Sequence, residues 1–438
     1  MVLLALFSVL IILPFLIPVE TYLQQAEEIA SEKLKTKVQL GNGHLTFLPS
    51  IGLAIDDIKV GDNDEVRIEK VTVVPTISSI FSDFKTVDIH ITNPVFKKSA
   101  LEILSALTQN KSKESASSPV NLRTIYIDDL MVLWPEKKWP LIDAEIAFID
   151  STQLQSAKLE TQDGHLQLYV APEGPLQKIT LDVKDWISPI SLPLLIDSGK
   201  MTGTLSEGVL DITHIDLSLY QGKLKGNTKL TWGKDWQLNG KLDINKLAVE
   251  KPSKLVSQSV YLSGDLFGKG QFSASAKDAG GIAEKMQANF KFNINDGVLH
   301  GMDLMKMASL LVKQNQKGDM TQFEELSGVL KTSGKQYHLR NLKVSSGLLA
   351  GSGQIKVMPN KTLDGEVDVE VKNSVSLAAI PLIVSGTVKN PVIYPSKAAI
   401  AGAVAGTALL GPGVGTSLGM KAGSALNRIK DSFGSQNP

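Results

Sequence analysis

Alternation of apolar and polar residues with a period of two recurs along most of the chain and restricts its fold more than any other feature. The clearest example runs from Leu363 to Lys372, where aliphatic residues and one glycine alternate with charged residues. This pattern predicts a β-strand with one face against apolar groups and the other in water. The sheet that contains this strand is therefore expected to be solvated on one side.

Segments of this kind predict about 20 strands, mostly joined by short turns, and so antiparallel neighbours throughout. An open twisted sheet rarely passes about 10 strands without curling or splitting. We therefore expect a mostly β protein: an elongated, curled antiparallel sheet, or trough, with one N-terminal transmembrane helix and a few short helices. At ~4.8 Å per strand, such a trough would extend roughly 100 Å. The alternative is an array of β-sandwiches packed with their own side chains.

Two local patterns predict turns and bends. Asn42-Gly43 separates two alternating segments, residues 38–40 and 45–47, and predicts a hairpin. The phase of the alternation changes at residues 213–214, which predicts a β-bulge or bend.

Residues 1–19 contain no charged side chain and only a serine and two prolines outside the apolar set. As a helix they span roughly 28 Å, close to the ~30 Å core of a bilayer, which predicts an uncleaved membrane anchor. The alternatives are a cleaved signal peptide, although the segment lacks a basic start and an Ala-x-Ala-like site, and a misassigned start. The first basic residue is Lys33, after four acidic ones, which favours export of the remainder. Residues 21–36 have helical spacing and predict a helix beside the membrane.

The order of these features resembles the AsmA family. The resemblance covers residues 13–96, including VQLGNGHLTFLPSIGLAIDDIKVGD and VTVVPTISSIFSDFKTVDIHITNPVF, and residues 288–395. In the second region, strands are interrupted by a predicted amphipathic helix at residues 302–314 and followed by SSGLLAGSG. The missing basic start departs from the family pattern.

The resemblance implies a protein anchored in the bacterial inner membrane through residues 1–19, with the bulk of the chain in the periplasm. It implies a bridge-like lipid transfer role in outer-membrane biogenesis, with phospholipids carried along an apolar β groove. A chain of 438 residues is short for bridging two membranes, so we expect either an envelope protein partner at the far end or a shuttle role. The alternative is a scaffold or assembly factor for outer-membrane proteins that carries no lipid. Nucleic acid is not an expected partner, because 45 basic residues balance 45 acidic ones.

Composition and patterning divide the chain into six predicted regions. These are the anchor (1–19), an N-terminal helix and β region (20–107), a polar loop (108–119), a repetitive β region (120–286), a C-terminal β domain with one helix (287–395) and a Gly/Ala-rich basic tail (396–438). The tail contains small-xxx-small spacings, and a surface-lying or re-entrant hairpin and a mobile tail are both compatible with it.

No motif in the sequence predicts catalysis. The chain has no cysteine and six isolated histidines, so neither a structural zinc site nor another metal or cofactor is expected. The Gly-x-Ser-x-Gly pattern around Ser417 lies in the Gly/Ala-rich tail, without the strand and helix that a nucleophile elbow needs. The glycine-rich segments 264–270 and 411–415 lack the frame of a phosphate-binding loop and are predicted to be turns. We therefore expect the protein not to be an enzyme.

The apolar faces of three predicted strands supply the candidate groove. Its candidate lining residues are Leu238, Leu242, Ile244, Phe290, Phe292, Ile294, Val367, Val369 and Val371. Each methylene moved from water into such a groove gains about 0.8 kcal/mol, so a lipid could be held by passive partitioning. The apolar stripe around Met302, Leu304 and Met305 is expected to be core; an apolar surface for lipid is the alternative.

Overall fold

The fold is taken from a computed structural model of the 438-residue chain. The residues that the structure describes are 19–47, 51–76, 85–100, 120–134, 137–150, 153–188, 193–304, 320–347, 349–372 and 379–402. Several predictions lie outside these ranges: the anchor except for Val19, the polar loop 108–119, most of the helix 302–314, and the tail beyond residue 402.

The described residues form 23 strands and few helices, which confirms the mostly β fold. The chain divides into two compact units, residues 1–191 with 200–206 and residues 192–199 with 207–438. Strand β12 (Leu195–Ser206) contributes residues to both units. Among the described residues, no helix combines the length and hydropathy needed to cross a bilayer.

The first unit begins with a helix and continues as a sheet. Its elements are α1 (Val19–Leu34), β1 (Val38–Gln39), β2 (Gly43–Thr46), β3 (Gly52–Val60), β4 (Val66–Pro75), β5 (Lys85–Lys97), β6 (Val120–Trp134), β7 (Lys137–Lys138), β8 (Ile142–Asp150), β9 (Gln153–Thr161), β10 (Leu166–Glu173) and β11 (Leu176–Ile187). Helix α1 confirms the helix predicted at residues 21–36. It is tied to the following chain by Ser31 Oγ, which accepts a hydrogen bond from the Val38 amide at 3.0 Å.

The hairpin predicted at Asn42-Gly43 is wrong. Strands β1 and β2 do not pair with each other; both pair antiparallel with β3, end to end along the same edge. Between them, the Gly41 amide donates to the Asp56 carbonyl at 3.1 Å, and the Asp56 amide donates to the Asn42 carbonyl at 3.0 Å. Strand β3 is long enough to pair with both segments. The chain therefore continues along the edge of β3 at Asn42-Gly43 and does not reverse its direction there.

The expectation of antiparallel neighbours throughout is also wrong, because β5 and β6 are parallel. Residues 98–119 connect them, and a parallel pair needs a crossover of about a dozen residues or more. This connection contains the predicted polar loop. The other strand pairs resolved in the first unit are antiparallel.

The second unit is an antiparallel meander that includes a short helix between its third and fourth strands. Its elements are β13 (Val209–Leu219), β14 (Gly222–Thr231), β15 (Trp236–Ala248), α2 (Glu250–Val256), β16 (Tyr261–Ala276), β17 (Gln287–His300), β18 (Met320–Ser333), β19 (Gln336–Ser345), β20 (Leu349–Val357), β21 (Leu363–Val371), β22 (Ile380–Gly386) and β23 (Pro391–Pro395). From β13 to β23, each strand pairs antiparallel with the next. This arrangement confirms the strand predicted at residues 363–372 as β21.

Bulges interrupt the ladder of the second unit. The bulge predicted at residues 213–214 is confirmed by a register shift between Ile212 and Ile215. Three further register shifts were not predicted by the apolar alternation. They occur at Lys246 (φ 55°), Gly264 (φ 124°) and Asn341 (φ 51°), where φ is positive. Bulges bend a strand and increase its twist, so they help the sheet to curl.

Candidate functional site: an apolar groove in the second unit

Strand register separates the second unit into an apolar and a polar face. One row of paired residues crosses nine strands, from β15 to β23, on the apolar face: Leu242, Gly270, Phe290, Leu330, Leu339, Ile355, Gly365, Val384 and Ile393. The adjacent row on the other face is polar at every position from β15 to β21: Lys241, Gln271, Asn289, Lys331, His338, Lys356 and Asp364. Side chains of successive residues point to opposite faces, so each strand repeats the same partition.

The apolar face encloses a cavity of about 610 Å³. Side chains from every strand between β15 and β23 line it, including Ile244 on β15 and Ile393 on β23. Because these distant strands face one space, the sheet of this unit is curled. We call the apolar face of β15–β23 together with this cavity the groove.

The groove is not filled by its own side chains along its length. Phe290, Leu330 and Leu339 are only half-buried, although they lie in the middle of the apolar row. The cavity extends along β17 from Phe290 to Leu299, which corresponds to about 30 Å of extended strand. A packed β-sandwich would bury these side chains fully, so the observed exposure favours an open trough over the sandwich array.

A packed cluster limits the groove where β21 ends and β22 begins. Its buried members are Met302, Leu304, Leu349, Val369, Ile380, Leu382 and Ala399. Val369, Leu382 and Ala399 are 0% exposed. Met302 and Leu304 are therefore core residues, as expected, although Leu304 also contacts the cavity. The remainder of the methionine stripe lies outside the described residues.

Hydrogen bonds connect the loop before β16 to the turn between β22 and β23. The hydroxyls of Ser257 and Ser259 both donate to the Lys389 carbonyl, at 3.4 and 2.6 Å. These bonds hold two parts of the curled sheet that are more than 100 residues apart in sequence. They therefore stabilise the closure of the sheet around the cavity.

The groove offers little polar chemistry. Thr321 and Ser352 are the only residues with polar side chains among those lining the cavity. The Thr321 hydroxyl already donates to the Met302 carbonyl at 2.9 Å and accepts from the Leu304 amide at 2.8 Å. No titratable side chain lines the cavity, and within the described ranges no three His, Asp or Glu side chains are placed to hold a metal ion. A charged ligand group buried here would find no partner.

The nine predicted lining residues fall into four groups. Ile244, Phe290, Phe292 and Val367 line the cavity. Leu238 and Leu242 are half-buried on the same face of β15, whereas Ile294 and Val369 are buried, at 5% and 0% exposure. The side chain of Val371 lies outside the described residues, although its backbone pairs with Leu349.

The glycines of the groove were not predicted to line it. Residues 264–270 were predicted to be a turn, but they lie within β16, so that prediction is wrong. Gly268 lines the cavity, and Gly270 lies in the apolar row. The alternating positions of Gly264, Gly268 and Gly270 within an apolar segment could have indicated this role. Glycine inside a strand often marks a place where a ligand or another backbone segment approaches closely.

Residues 135–337 match the family model described as the AsmA family. The match spans a little under half of the chain, and over these residues the protein is similar to the AsmA family. The matched residues include β15 to β18 and so one wall of the groove. They overlap the second region of the resemblance seen in the sequence, whereas residues 13–96 lie outside the match. A search of curated proteins found no significant match.

Proposed function

We propose that this protein carries phospholipids, with their acyl chains in the groove, during outer-membrane biogenesis. Residues 1–19 would anchor it in the bacterial inner membrane, with the bulk of the chain in the periplasm and an envelope protein as partner at the far end. The family match supports a role in the cell envelope. The open and largely apolar face of β15–β23 is the observation that carries the proposal.

The size and chemistry of the groove suit an acyl chain. The hydrocarbon core of a bilayer is about 30 Å thick and contains two leaflets, so one chain needs about 15 Å of apolar length. The groove provides about 30 Å along β17. The headgroup must remain in water, because the lining has no charged side chain to compensate for burying a phosphate. No catalytic residue is needed, since transfer of methylenes into the groove is favourable in itself.

Photo-crosslinking from adjacent residues tests the proposal. A benzophenone side chain placed at Phe290 faces the groove, whereas the same group at the neighbouring Lys291 lies on the exposed polar face. In full-length protein illuminated with phosphatidylethanolamine vesicles, we expect lipid adducts from position 290 and few from position 291. Equal labelling of both positions, or no adduct at either, would contradict lipid carriage.

The alternative role as a scaffold uses strand edges in place of the groove. Strand β23, which follows β22 at the end of the meander, begins and ends with proline, at Pro391 and Pro395. Proline cannot donate to a further strand, so these residues weaken the edge as a template for pairing. We therefore favour lipid carriage over client binding through this edge.

A further inference from the structure

Inward-facing glycines alternate with large side chains on the groove wall. One row of direct pairs runs from Ile244 through Gly268 to Phe292. A second runs from Leu242 through Gly270 to Phe290. Gly268 and Gly270 therefore each lie between two bulky neighbours, and the space above each glycine depends on how closely the neighbouring strands and side chains approach it.

At Gly270, Gly240 and Gly328, neighbouring atoms of the protein occupy the space that a side chain would need. A Cβ at Gly270 would lie 2.6 Å from Cγ of Phe290, and a Cβ at Gly240 would lie 2.2 Å from Cζ of Phe272. At Gly328, the same atom would lie 2.9 Å from Cδ2 of Leu342. These glycines allow neighbouring side chains and backbone to approach closely, so their lack of a side chain serves packing.

Gly268 differs from them. The nearest atom to a Cβ there would be the Lys291 carbonyl oxygen at 3.4 Å, and the nearest side-chain atom would be Cβ of Ile244 at 3.9 Å. Gly268 also lines the cavity, which Gly270 and Gly240 do not. The absent side chain at this position thus leaves open groove volume between Ile244 and Phe292.

We infer that Gly268 determines the width of the groove, so that the acyl chain of a phospholipid lies against its backbone between Ile244 and Phe292. The inference rests on the proposed function and adds to it the residue that controls entry of the chain. A side chain at position 268 would project into the space that the acyl methylenes occupy. Loss of that space lowers affinity by steric exclusion, as extra methylenes do in other apolar pockets.

Binding of a pyrene-labelled phosphatidylglycerol to the full-length protein tests this inference. We expect Gly268→Leu to weaken binding by about tenfold, and Gly268→Ala to weaken it by about twofold. The matched control is Gln271→Leu, which adds the same apolar side chain to β16 on the exposed polar face. The control is expected to bind like the unchanged protein.

The outcomes separate the inference from the proposed function. If the unchanged protein binds no lipid, the proposed function fails and the inference fails with it. If the unchanged protein binds and folded Gly268→Leu binds equally well, only the inference is overturned. Thermal melting establishes that the variants are folded. Should Gly268→Leu not fold, Gly268→Ala decides, because its Cβ meets only contacts of 3.4 Å or more; unchanged affinity there would overturn the inference.

Discussion

At the scale of single residues, identical amino acids in neighbouring positions have different roles in this sheet. Gly268 and Gly270 are two residues apart on the same face of β16. The first borders open cavity, whereas the ring of Phe290 covers the second. The difference arises from how closely the backbone and side chains of β17 approach each glycine, which strand alternation does not specify.

Alanine substitutions at Gly268 and Gly270 should differ in their effect on the free energy of unfolding. Gly270→Ala should destabilise the protein by about 1–3 kcal/mol, because its Cβ would lie 2.4 Å from the Asn289 carbonyl oxygen and 2.6 Å from Phe290 Cγ. Gly268→Ala should leave stability unchanged or raise it slightly, since glycine weakens a strand. Urea unfolding of both variants provides the comparison. Equal losses would show that the space above Gly268 is not open.

Two leucine variants should distinguish the packed cluster from the open groove. Leu382→Ala removes a side chain that is 0% exposed and should cost about 2–5 kcal/mol. Leu339→Ala removes a half-buried side chain beside the cavity and should cost less than about 1.5 kcal/mol. Thermal unfolding measured without lipid compares them. A loss at Leu339 as large as that at Leu382 would indicate that the groove is packed.

At the scale of secondary-structure elements, one ion pair reinforces the parallel junction of β5 and β6. Asp88 on β5 is 8% exposed and accepts two hydrogen bonds from the guanidinium of Arg123 on β6, one of them from Nε at 2.9 Å. The hydrogen bond to Asp88 raises the pKa of Arg123 above its ordinary value. Arg123 lies at a register shift in this pair, where the backbone ladder is interrupted. The side-chain bonds compensate for that interruption.

Loss of the arginine should therefore loosen this junction. In Arg123→Gln, the carboxylate of Asp88 stays buried without its charged partner, at a cost of about 1–3 kcal/mol. Asp88→Asn should cost less, because the side chain of Arg123 is 55% exposed and can be hydrated. Hydrogen exchange of the β5 amides, followed by mass spectrometry, measures local opening. Faster exchange in Asp88→Asn than in Arg123→Gln would contradict this account.

At the scale of the whole molecule, the chain has a net charge of zero, and its second unit combines an apolar groove with a polar opposite face from β15 to β21. The groove contributes no titratable group to ligand binding. Its interaction with lipid should therefore depend on buried apolar area and not on ion pairing.

Lipid binding should accordingly be insensitive to salt and should stabilise the fold. We expect the affinity for the acyl probe to change by less than about twofold between 0.05 and 0.5 M salt, since screening acts on exposed charges. Lipid at about 100 times its dissociation constant should add about 2.7 kcal/mol to stability. Fluorescence titration and thermal melting of the full-length protein measure these effects. A steep loss of affinity with salt would indicate binding to surface charges outside the groove.

The sequence alone determined the mostly β fold, the resemblance to the AsmA family and much of one groove wall, because apolar alternation is a local property of each strand. Phe290, Phe292 and Val367 could be placed on the apolar face from spacing alone. Only the tertiary structure decided that β5 and β6 run parallel, that β1 and β2 share one edge of β3, and that Gly268 borders a cavity. These features depend on pairing between segments that are distant in sequence and on how closely neighbouring strands and side chains approach each other. Spacing along one strand carries no information about either.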